Sequence, residues 1–290
     1  MRKTASLLAA TLAVFSFCSP AHALINRAWV SGHGADAAGC GAPAAPCRTF
    51  QYVHDNIVAP GGEIDVLDPA GYGAITISKA LSIVNDGVGA AGVQTSTGAA
   101  ITINAGPSDA VHLRGLNIDG LGAGANGIVF NSGASLTIVN CVVRHFAGFG
   151  STGNGVLIQP STGPVSFVIS DSIFADNAYT GIYATPSGGT LHGTVTRVAA
   201  TTNHHGMQAV SAGAPVTVFA NQVNASENSN VGFVTSGAAS NLYLTRSMAA
   251  NNAIGVSILG GTAFTYSDNA INNNSSNDVS GGSLSAVNLK

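Results

Sequence analysis

The chain has 290 residues; 46% are hydrophobic but only 8% are charged, against about 25% in an ordinary globular domain. That hydrophobic content excludes intrinsic disorder, so the surface must be covered by Ser, Thr, Asn, Gly and Ala. The formal net charge of −3 comes without a basic cluster, which removes the footprint of nucleic-acid binding and disfavours an anionic membrane surface.

Residues 1–23 read as a secretory signal peptide. Arg2 and Lys3 begin it, Leu7 to Phe17 form its apolar core, and Ala21-His22-Ala23 is a small-x-small cleavage site. The apolar stretch is too short to span a bilayer, and no later run approaches the ~20 residues required. Cys18 lacks the preceding small residues of a lipoprotein signal. The expected mature chain is exported, to the periplasm or the extracellular space. Without Arg2 and Lys3, the 10 Lys and Arg fall to 8 against 13 Asp and Glu, a net charge of −5.

Residues 24–62 read as an entry segment with a capping helix. Cys40 and Cys47 share a Gly/Pro/Ala loop, and in an oxidising compartment they are expected to form a disulfide. Thr49 can cap a short helix to about Ile57, with Phe50, Val53 and Ile57 on one face and Ala59-Pro60-Gly61-Gly62 as its stop. Such a helix would cover the open edge of a strand stack.

Strand patterns then continue from Glu63 to about residue 285, with residues 286–290 as a tail. A glycine opens a short apolar strand at Gly155, Gly181, Gly206, Gly232 and Gly255, spaced 26, 25, 26 and 23 residues apart. Asn177, Asn203, Asn228 and Asn252 keep step with it, spaced 26, 25 and 24. Two series in phase at this period specify a solenoid of stacked coils. Coils of about 25 residues suit a right-handed parallel β-helix, whereas left-handed hexapeptide helices take about 18 per coil. The asparagines are expected to take left-handed backbone at a corner and to bond their equivalents one coil away. The glycines are expected to supply permissive dihedrals or close approach. Cys141 lies in a strand pattern and reads as a buried, inert thiol.

The run Thr49-Phe50-Gln51, then Ala59-Pro60-Gly61-Gly62-Glu63-Ile64 and Leu67-Asp68-Pro69-Ala70-Gly71-Tyr72, resembles the entry to the pectin-lyase-like right-handed parallel β-helices. Trp29-Val30-Ser31-Gly32 with Pro46-Cys47-Arg48-Thr49-Phe50 resembles the small secreted bacterial members. Such relatives often carry cysteines near Val66 and Asn85; both are absent here, which removes a second disulfide. The resemblance implies the fold and, by analogy alone, polysaccharide chemistry.

Chemistry-bearing residues are sparse. The residue before each corner asparagine forms a column of Asp176, Thr202, Glu227 and Asn251, with His145 in line one coil earlier. Strands stack about 4.8 Å apart, so Asp176 and Glu227 should lie roughly 9–10 Å apart. That is near the upper end of the carboxylate spacing in inverting glycosidases. Tyr179, Tyr183 and His204 are the candidate sugar-contacting residues, and the adjacent pair His204-His205 at the next corner offers an acid or base. The plain alternative is a solvated face that collects polar side chains. Arg144, Arg197 and Arg246 recur about every two coils but align with no acidic cluster, so Ca²⁺-dependent lyase chemistry has no motif. Gly122-Ala123-Gly124-Ala125-Asn126-Gly127 matches a dinucleotide pattern by letter only, because it leads into a strand. Asp68-Pro69 reads as a turn. No Cys/His spacing resembles a metal site, and no cofactor is expected.

Two ligand-dependent expectations follow, beside that of a purely structural adhesin or passenger fragment. The first is a non-catalytic scaffold that recognises an extracellular or envelope polysaccharide or a surface partner. The second is a polysaccharide-processing enzyme, hydrolase before lyase, with Asp176 and Glu227 as the acid/base pair.

Inward-facing strand positions carry the stability, since an unpaired buried charge costs several kcal/mol. Val216→Asp and Leu242→Asp are each expected to unfold several coils. A soluble Val216→Asp variant with a cooperative melt would place that residue outside the core.

Overall fold

A computed structural model describes residues 24–288. These residues wind as a parallel β-solenoid of about nine coils, with one short helix among them. One sheet has nine strands, each hydrogen-bonded to its equivalent one coil away, from Ile75–Ile77 through Thr180–Ala184 to Asn277–Ser280. The remaining strands form an 18-stranded sheet that turns a corner within each coil. All registered strand pairs between coils are parallel, and registers such as Phe167↔Gly193↔Val218↔Leu242 run coil after coil.

The first strand, β1 (Ile25–Val30), already pairs with β2 (Val58–Val66). Between them, Cys40 and Cys47 are joined as a disulfide with Cα atoms 5.0 Å apart. The helix α1 (Phe50–Asn56) is capped by Thr49, whose Oγ1 accepts from the Tyr52 amide at 3.2 Å and donates to Asp36. Phe50 and Val53 are fully buried against the first coils. The helix ends just before Ala59-Pro60-Gly61-Gly62, at the expected place. Ile57 closes it, and the four residues lie inside β2, where the register jumps from Ile25↔Val58 to Arg27↔Glu63. Val58 is buried and pairs with Ile25, so the chain joins the sheet before the Pro-Gly-Gly kink.

The interior is stacked Val, Ile, Leu, Phe and Ala, and Val216 and Leu242 are both fully buried. Volume is exchanged between coils. Phe167 fills the space that Gly193 leaves one coil on, where an added Cβ would lie 2.0 Å from the ring. The exterior carries one apolar stack, Phe219, Tyr243 and Phe264, with ring centroids 4.4 and 4.3 Å apart. Cys141 is buried, and burial pushes its thiol up to about 11, as befits an inert side chain.

The corner before each glycine-led strand is built by the asparagines. Asn203 Oδ1 accepts from both the amide and the Nδ2 of Asn177, each at 3.0 Å, while Asn203 Nδ2 donates to the Phe174 carbonyl at 2.9 Å. Asn228 and Asn252 repeat the pattern, and Asn274 extends it by one coil. The left-handed residue is not the asparagine itself. It is the residue before it: Asp176, Thr202, Glu227 and Asn251 have φ between 56° and 61°, and His145, before Phe146 on the preceding coil, has φ 62°. The asparagine points inward to complete the buried bonds, so the preceding residue makes the turn and faces out. The coil-opening glycines are there for close approach, since none has positive φ and a Cβ on Gly181 would sit 2.8 Å from the Gly206 carbonyl.

Removing a rung strands several buried polar groups at about 1–3 kcal/mol each. Asn228→Ala is expected to cost about 3 kcal/mol or more in denaturant unfolding, whereas Asn273→Ala, on the exposed column, costs about 1 kcal/mol or less. Equal costs would contradict this account of the corner.

Candidate functional site

The left-handed column lines an open groove of about 750 Å³ along the solenoid axis. His145, Asp176, Thr202 and Glu227 follow one another along it, and His204 and Ser229 stand beside them. At about 4.8 Å per coil, the four column positions span roughly 14 Å. Asp176 and Glu227 are exposed, and neither side chain forms a hydrogen bond or ion pair among the described residues.

His145 is different, because a carboxylate holds it. Its Nδ1 lies 3.1 Å from Asp119 Oδ1, and Asp119 also accepts from Arg144 Nε at 3.1 Å and the Leu121 amide at 2.9 Å. Asp119 is nearly buried, at 8% exposure. Burial opposes its ionisation, but the Leu121 amide, His145 and Arg144 outweigh it and hold the carboxyl below its usual range. A proton on Nδ1 shared with Asp119 fixes the ring and leaves Nε2 as its free nitrogen. Asp119 and Arg144 also border a smaller cleft of about 240 Å³ floored by Gly71 and Gly92. Arg144 therefore sits on a third strand, whereas Arg197 and Arg246 occupy a different corner, at φ 53° and 48°. The three arginines form no common column. Arg197 is spent on Asp171 at 2.6 Å.

An aromatic cluster adjoins the groove. Tyr179 lies over His204 at 6.0 Å and 22°, and Phe149 packs on Tyr179 at 4.4 Å while remaining 67% exposed. Tyr183 touches Tyr179 edge-on at 6.0 Å but belongs to the neighbouring nine-stranded sheet. His205 completes the cluster at 4.4 Å from His204. Its Nδ1 is buried without a partner, and burial, with His204 beside it, pushes its pKa down to about 4.

The groove thus gathers His145, Asp176, Glu227 and His204, with Tyr179 against its wall and Tyr183 behind. Asp119 and Phe149 are the participants that the sequence pattern does not single out. The column's odd spacing between His145 and Asp176 was a usable signal for Phe149. The extra residues there form the loop that carries it. No group of three or more His, Cys, Asp or Glu side chains converges for a metal among the described residues.

Residues 126–288, more than half the chain, match the family model described as right handed beta helix region. No curated protein and no solved structure gives a significant match. The chain belongs to the right-handed β-helix family.

The buried imidazole of His205 makes stability depend on pH. Its folded pKa lies below the unfolded value of 6.5, so the unfolded state binds more protons between the two. Its stabilisation is complete above pH 6.5 and is lost as pH falls towards 4. His205→Gln is expected to flatten that part of the stability profile measured by urea unfolding. An unchanged slope would assign the dependence to other groups.

Proposed function

We propose that this β-helix protein is exported and binds an extended glycan of the envelope or extracellular matrix along the corner groove. The observation that carries the reading is the convergence of His145, Asp176, Glu227 and His204 in one open groove beside the Phe149–Tyr179 pair. Sugar sites combine an aromatic surface for the apolar ring face with polar side chains for the hydroxyls. An open groove running across several coils suits a chain more than a small molecule. The disulfide is compatible with an oxidising compartment, and no helix among the described residues is long and apolar enough to cross a membrane. The signal peptide expected at residues 1–23 lies outside the described residues.

A hydrolase is the second reading, supported by the two carboxylates on one groove and by the carboxylate-held His145. Recognition is preferred because Asp176 and Glu227 are both exposed, so burial singles out neither as the proton donor.

A glycan array probed with the purified chain, with reducing ends assayed on every hit, separates the readings. Binding without turnover, weakened about tenfold by Tyr179→Ala, is expected. Turnover lost in Asp176→Asn or Glu227→Gln would establish the enzyme instead. Absence of binding to any glycan would sink both.

A further inference from the structure

Resting on the glycan-binding reading, we infer that the groove selects a cationic glycan, a chain bearing free 2-amino groups, with Asp176 and Glu227 reading alternate sugars. The inference comes from where charge is compensated along the groove and where it is not.

Asp119 takes Arg144 and His145, so the basic side chains at that end are already committed to a carboxylate. Farther along, the balance changes. Asp176 and Glu227 have no cationic partner among the described residues, and Thr202, Asn203 and Ser229 around them are neutral. His204, the remaining basic side chain of the groove, is engaged with Ser229 Oγ at 3.1 Å and Asn230 Nδ2 at 3.3 Å. The stretch is therefore anionic when empty. A uronate chain laid in it would set its carboxylates against Asp176 and Glu227. A neutral chain would gain ordinary hydrogen bonds. An amine-bearing chain would gain a charge-assisted bond at each acid, the stronger class of contact.

The spacing supplies the second argument. The corner ladder fixes Asp176 and Glu227 two coils apart, with Thr202 on the coil between. Two coils are roughly 9–10 Å. This is close to the repeat of two sugars in an extended, two-fold β-1,4-linked chain, which presents the 2-substituent of every second residue on the same side. One amine then meets Asp176, the next on that side meets Glu227, and the intervening sugar passes Thr202. The exposed Phe149 ring and Tyr179 lie beside the same stretch, where a sugar face and a neighbouring ammonium both find favourable contact.

The test is calorimetric titration of the full chain at pH 5.5 and low salt with three probes. They are a fully deacetylated β-1,4-glucosamine hexamer, its N-acetylated counterpart and a galacturonate hexamer. The glucosamine hexamer is expected to bind about tenfold or more tighter than the N-acetylated one, with affinity falling as salt rises. Asp176→Asn and Glu227→Gln should each remove most of that preference. Both sites are exposed, and a melt of each variant checks that the coil is intact. Equal or tighter binding of the N-acetylated or galacturonate chain would overturn the cationic selection while leaving a glycan groove in place. Equal binding of hexalysine would show an unspecific cation site and overturn it too. Failure of every sugar to bind would remove the glycan reading itself.

Discussion

The amide stack of Asn177, Asn203, Asn228, Asn252 and Asn274 is the interaction on which the geometry of this molecule depends. Each Oδ1 collects donors from the coil before it, and the Nδ2 groups close onto main-chain carbonyls such as those of Phe174 and Ala200. Buried amides have little freedom to compromise, because an unmade bond there costs its full desolvation penalty. The corner is therefore set to the same conformation on each coil that the stack spans. The residue before the asparagine must then turn left-handed and face solvent. A structural constraint inside the wall thus prints an evenly spaced column of variable side chains outside it.

That column accounts for both halves of the protein's character. Its positive φ is a cost for Thr202 and Glu227, since side chains other than Gly, Asn, Asp and His rarely sit there. The stack tolerates them because the paired amides over-determine the turn. Their identities are free to serve a ligand, and their spacing is inherited from the strand repeat. Asp119 shows how the arrangement is refined. Sitting one coil from His145 and nearly buried, it fixes a ring that would otherwise rotate on an exposed corner. Its hold on Arg144 and His145 leaves Asp176 and Glu227 as the uncompensated end of the groove.

The period was legible in the chain because glycine and asparagine each do one job per coil. Gly181, Gly206 and Gly232 lie where a Cβ would meet the next coil's carbonyl, and Asn177 to Asn252 lie where a buried amide is needed. Asp176 and Glu227 could be placed in one column for the same reason. What the chain did not disclose depends on irregularity. Asp119 pairs with His145 across a coil whose left-handed turn falls at Leu121, two residues beyond Asp119 and out of step with the later coils. Phe149 rides on extra residues between two regular coils, outside any repeat. The left-handed turn was assigned to asparagine because asparagine tolerates it. Burial of the amide moved the turn one residue back. The His204-His205 pair is visible in the chain, but the buried, unpartnered Nδ1 of His205 is not.

The most direct test of this account is a crystal structure of the chain with a β-1,4-glucosamine hexamer bound. The account requires the sugar in the corner groove, parallel to the solenoid axis, with amines of alternate residues on Asp176 and Glu227 and the Asn stack unmoved. Sugar seated instead on the exposed Phe219–Tyr243–Phe264 stack, with the groove empty, would contradict it.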